Sequence, residues 1–182
     1  HSRPHRGFIF QNDETQDSIV QGFTVKQGVA RGHSTDAQGG GILVHFASPT
    51  IRHCIFWGNR TGSNGSGGGL CLKESNATVT DCIFMGNSAG HGGAITCQTF
   101  SNDISNCLFV NNLAVEGGAI SCWEAWITLS NCTFADNVSG FGGALFYSEA
   151  NISVLNSILW GNKPDQIQRW FGVHTVAYSN YM

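Results

Sequence analysis

Apolar and polar residues alternate along this chain in short bursts. In 78-TVTDCIF-84 and 128-TLSNCTF-134 a polar pair breaks the alternation, and in 94-AITC-97 it resumes after two glycines. No apolar stripe recurs at helical spacing, so the pattern predicts strands of about three to five residues separated by tight turns. The segment 107-CLFVNNLAVEGGAISC-122 is a near copy of 82-CIFMGNSAGHGGAITC-97. Such copying makes the unit, not the single strand, the element to explain.

Phe56, Phe84, Phe109, Phe134 and Leu159 follow one another at steps of 28, 25, 25 and 25 residues. Asn59, Asn87, Asn112, Asn137 and Asn162 keep the same steps, with Gly28 as an earlier, degenerate member. Cys54, Cys82, Cys107, Cys132 and Ser157 form a third column, and Gly39, Gly67, Gly92, Gly117 and Gly142 open the glycine motif of each copy. A period this strict marks a solenoid, in which each unit buries its apolar side only against the next. Three short strands and three turns use about 25 residues, so one unit is one triangular coil. Parallel crossovers are right-handed. The expected fold is therefore all-β: a right-handed parallel β-helix of about six coils, with residues 1–182 forming one domain. In it Phe109 stacks between Phe84 and Phe134, Asn112 joins a ladder of identical amides, and Gly117 and Gly118 make a turn closed to most other residues.

The stretches FMGN (84–87), FVNN (109–112) and FADN (134–137), with GGAI at 92–95 and 117–120, resemble the F-x-x-N and GGAI repeats of the polymorphic outer membrane protein family. The tail 155-LNSILWGNKPDQI-167 is similar to repeats of exported bacterial β-helix surface proteins within the pectin-lyase-like superfamily. The resemblance covers residues 18–182. It implies a β-helix displayed outside the cell and used in adhesion. The shared motifs are core and turn residues, so it implies no activity.

Charge narrows the partners. Only 12% of residues are charged and the net charge is −3, which leaves no basic stripe for nucleic acid. No apolar run reaches the roughly 18 residues of a membrane span. A chain beginning at His1 reads as a mature or excised product. Seven cysteines leave at least one without a partner in the chain. Cys82, Cys107, Cys132, Cys97 and Cys122 are expected inside as free thiols, because side chains stacked in parallel suit a disulfide dihedral poorly. Cys71 follows an inward Leu70 and is expected to point outward and react. Asn-x-Ser/Thr triplets occur at Asn59, Asn64, Asn76, Asn131, Asn137 and Asn151; Asn59, Asn131 and Asn137 fall in turn ladders, which leaves Asn64, Asn76 and Asn151 as loop acceptors.

With the interior filled, function falls to the outer faces. One face presents Ile55, Ile83, Leu108, Thr133 and Ile158 in one column and Trp57, Met85, Val110, Ala135 and Trp160 in the next. Ile55, Trp57, Ile83, Met85, Leu108, Val110, Ile158 and Trp160 are the partner-binding candidates, for self-association or for another surface protein, unless the tail at 163–175 covers them. The strand after the glycines presents His45, Lys73, Gln98, Trp123 and Ser148, with Leu43, Cys71, Thr96, Ser121 and Phe146 alongside. In pectin-lyase-like enzymes this face meets polysaccharide, which makes His45, Lys73, Trp123 and Phe146 candidates for sugar binding, with Trp126 nearby. Glu124 and Glu149, one coil apart, are then the candidate catalytic pair of a carbohydrate-active enzyme, at a spacing suited to a retaining glycosidase. Against this, no acid cluster supports a calcium-dependent lyase, and solvated turn glutamates explain the same residues. His33, His91 and Glu116 are too scattered for a metal site, and no cofactor is expected. The third face carries Thr50, Thr78, Thr80, Thr128, Ser130 and Ser153, a row that Arg52, Asp103 and Leu155 interrupt.

At the ends, 7-GFIF-10 reads as a strand and 176-VAYSNYM-182 as the opening of another coil. Uncapped coils suit a piece of a longer chain or a head-to-tail assembly. The sequence thus points to a non-catalytic β-helix, secreted or on the cell surface, acting as adhesin or as structural or filament subunit. A polysaccharide lyase, glycoside hydrolase or sugar-binding module is the alternative.

Overall fold

The computed structural model describes residues 5–177 and 179–181, and these wrap as a parallel β-solenoid. Each coil gives one strand to each of three faces. The first face stacks Phe8–Phe10, Ile42–His45, Leu70–Lys73, the start of Ile95–Ser105, the start of Ile120–Ser130, Leu145–Ser148 and Ile167–Arg169. The second stacks Ile19–Gln21, Thr50–Arg52, Thr78–Thr80, the ends of the same two long strands, Ala150–Leu155 and Gly172–Ala177. The third stacks Thr24–Lys26, Ile55–Trp57, Ile83–Met85, Leu108–Val110, Thr133–Ala135, Ile158–Trp160 and Asn180–Tyr181. All strand pairs of these faces are parallel, and the register follows the sequence period: Phe84 lies opposite Phe109 and Phe109 opposite Phe134. The expected architecture of about six coils of about 25 residues is therefore the one that forms. Tyr178 and Met182 of the anticipated last coil lie outside the described residues.

Strand length departs from expectation in two coils. Ile95–Ser105 and Ile120–Ser130 are each 11 residues long because they run unbroken through the corner between first and second faces. The corner bends through left-handed residues instead of an interrupted ladder: Phe46, Glu74, Thr99, Glu124 and Glu149 all have φ between 50° and 61°.

Packing explains why the period is kept. Phe56, Phe84, Phe109 and Phe134 are fully buried and stacked, with successive centroids 4.5, 5.1 and 4.6 Å apart and interplanar angles of 8° or less. Rings held at rung spacing lie face on face, so a shift of one residue in any coil would drive that ring to the outside. The thiols of Cys54, Cys82 and Cys107 donate to the carbonyls two residues earlier at 3.1–3.2 Å, which satisfies them inside the core. All seven cysteines are free and buried.

Cys71 corrects the sequence reading. It does sit on the outward side of its strand, in register with Leu43 and Thr96, yet it is completely buried. The glycine turn folds the residues before it over this column, as the Thr96 hydroxyl donating to His91 O at 2.6 Å shows one coil further on. Outward no longer means exposed where the wall is concave. Burial pushes the Cys71 thiol up to about 12, far from the thiolate that reacts. Brief treatment of the native protein with iodoacetamide at pH 8 should therefore modify none of the seven cysteines, and treatment in denaturant all of them. Mass spectrometry reads both; native labelling at Cys71 would restore the outward reactive thiol.

Candidate functional site

The third face forms one outer wall of the solenoid. Its strands are three residues long, and in Ile55–Trp57 and Ile158–Trp160 the middle residue is buried while both neighbours stand exposed. Stacking converts that local pattern into two outward columns. Trp57 is 48% and Trp160 53% exposed, with Ile55, Met85 and Ile158 also exposed. Ile83, Leu108 and Val110 are half-buried between their neighbours in the stack. Thr133 and Ala135 narrow the stripe before it widens again at Ile158 and Trp160. The wall's backbone groups are paired between coils, so what it offers a partner is side-chain surface, about 19 Å long from Trp57 to Trp160 at the usual rung spacing.

The tail does not cover this stripe. Ile167–Arg169 pairs with Leu145–Ser148 and so extends the first face. The next residue, Trp170, then lies edge-on against Trp123 and Phe146, with centroids 6.2 and 5.3 Å away.

That contact corrects the sugar-binding assignment on the first face. Phe146 is fully buried beneath it and offers no ring to a ligand. Trp123 is half-buried, its indole N–H donating to Ser121 Oγ at 3.1 Å. His45 and Lys73 are half-buried too; the His45 ring lies against Phe46 at 4.2 Å, and its Nε2 stands 3.8 Å from Glu74. Trp126, 59% exposed at the start of the second face, and Trp170, 51% exposed, do reach solvent here. Glu124 and Glu149 are both exposed on adjacent coils, since Trp123 pairs with Ser148 and Trp126 with Asn151 on either side of them. Both carboxylates stand open to solvent.

The sequence model of the right-handed β-helix region matches residues 7–159. The chain belongs to the right-handed β-helix family. No curated protein matches it.

Within this β-helix two further features went unnoticed in the sequence. His91 Nδ1 and Glu116 Oε2 are 2.9 Å apart on paired strands, Ser88–His91 and Leu113–Glu116, so residues read as scattered are direct neighbours. Their separation of one period carried the signal. Among the described residues, no three His, Cys, Asp or Glu side chains group closely enough to hold a metal ion. The second feature is a cleft of about 710 Å³ at the corner of first and second faces, closed on one side by residues 13–17. It contains none of the candidates drawn from the repeat columns.

Proposed function

We propose that this β-helix is a non-catalytic binding scaffold, working outside the cell as an adhesin or structural subunit, and that the third face is its contact surface. The observation carrying the reading is the uncovered apolar stripe from Trp57 to Trp160 on a wall whose polar backbone is already satisfied. Contiguous exposed apolar surface on this scale is a mark of interaction sites, and tryptophans are the residues that most often dominate binding energy there. The F-x-x-N and GGAI repeats support an adhesin of the polymorphic outer membrane protein kind.

The double variant Trp57→Ser, Trp160→Ser tests this. Both side chains project from the wall, so the circular dichroism spectrum should be unchanged. Association, with itself or with a cell surface in an adhesion assay, should fall by at least about tenfold. Light scattering and adhesion counts equal to those of the unmodified protein would remove the third face from the proposal.

A further inference from the structure

The 710 Å³ cleft lies apart from the third face and rests on a different observation. Its walls combine aromatic rings with carboxylates. Phe46 and Phe100 are half exposed within it, at 51% and 48%, although both have left-handed φ of 55° and 63°. Bulky residues are disfavoured in that conformation, and elsewhere on the solenoid such positions go mostly to Asn, Asp, Glu or Gly. Phe46 and Phe100 are two coils apart, about 10 Å at the usual rung spacing, and Glu74 comes from the coil between them. Asp13, Glu14 and Asp17 close the opposite side, and no lysine or arginine lines the space. His45 is not part of the lining, but it flanks the space, with Nε2 3.8 Å from Glu74 and its ring against Phe46 at 4.2 Å.

The loop that supplies these acids is fastened to the solenoid. Ser48 N donates to Glu14 O, and the Thr50 hydroxyl to Gln16 O at 2.8 Å. Asn12 N donates to Glu14 Oε2 at 2.8 Å, which holds that carboxyl below its usual range.

The volume is that of a small-molecule site. The negative charge comes from both sides of the cleft, from Asp13, Glu14 and Asp17 on the loop and from Glu74 on the solenoid. Spread carboxylates between aromatic faces fit positive charge carried on an apolar stem, with ammonium groups over the rings and against the acids. We propose that the cleft binds an elongated organic cation of the aliphatic polyamine class, its central ammonium at Glu74 between Phe46 and Phe100.

Titration calorimetry with spermidine at 150 mM salt tests the assignment. Saturable binding of one molecule per chain is expected. Phe46→Asn together with Phe100→Asn should weaken it about tenfold, as should Asp17→Asn with Glu74→Gln. Asparagine tolerates the left-handed conformation, so the first pair should fold as the parent does. Phe141→Asn, which removes an exposed ring elsewhere, should change nothing. The absence of saturable binding, binding indifferent to loss of both rings, or calcium binding more tightly than spermidine would each overturn the proposal.

Discussion

Replacing Gly118 by alanine should destabilise the β-helix by about 3–5 kcal/mol, a large part of what a domain of this size possesses. A β-carbon at Gly118 would lie 2.2 Å from Gly143 O and 2.8 Å from Val138 O, both backbone atoms of the next coil. Neither can rotate away. Relief requires the coils to part by about 1 Å, which stretches Gly118 N to Gly142 O (3.1 Å) and Ala114 N to Val138 O (3.0 Å) beyond useful length. Gly40, Gly68 and Gly93 meet the following coil in the same way, at 2.3–2.4 Å, so the column is a stacking requirement repeated along the axis. Gly62 supplies the comparison, since an added β-carbon there meets nothing within 4 Å. Gly62→Ala should fall within about 0.5 kcal/mol of the parent in a urea titration. Equal losses in the two variants would mean that the glycines do not hold the coils together.

This column also shows how much could be read from the chain. A residue repeated at a fixed step needs a fixed neighbour above and below, and stacking is the geometry that provides one; Phe84, Phe109 and Phe134 were assignable to one interior file for that reason. Errors came where alternation was equated with exposure. Cys71 and Phe146 point away from the axis and are nevertheless buried, the one at the concave glycine corner and the other beneath Trp170 as well. Concavity depends on the path of the preceding turn, which no single strand encodes. His91 and Glu116 are legible by their spacing of one period, although columns of like residues do not reveal a pair of unlike ones. The acidic loop that closes the cleft was not legible. That loop lies in the first coil, where Phe8 and Ile42 are partners despite a separation of 34 residues, and residues outside the repeat have no column to predict their neighbours.

The buried amide ladder separates polar satisfaction from packing. Asn112 Oδ1 accepts from Asn87 N at 2.9 Å and from Asn87 Nδ2 at 3.0 Å, while its own Nδ2 donates to Phe84 O at 3.0 Å and Asn137 Oδ1 at 2.9 Å. Asn112→Leu keeps the number and branching of the side-chain heavy atoms and removes all four bonds at once. The Asn87 backbone N–H and an amide hydrogen of Asn87 are then left inside the protein without an acceptor. Unsatisfied buried groups cost about 1–3 kcal/mol each, so a loss of about 3–5 kcal/mol is expected despite the more apolar side chain. A second ladder gives the contrast: Asn131 Nδ2 donates to Asn106 Oδ1 at 3.1 Å, but in an exposed turn where water can replace it. Asn131→Gly, which retains the left-handed backbone, should cost less than about 1 kcal/mol. Amide hydrogen exchange resolves the effect by coil, which suits a solenoid whose units contact only their neighbours. Exchange at Asn87 N–H should accelerate sharply in Asn112→Leu and remain slow in Asn131→Gly. Protection at Asn87 surviving the loss of Asn112 would show that the ladder follows from the stacking of the coils and does not help to enforce it.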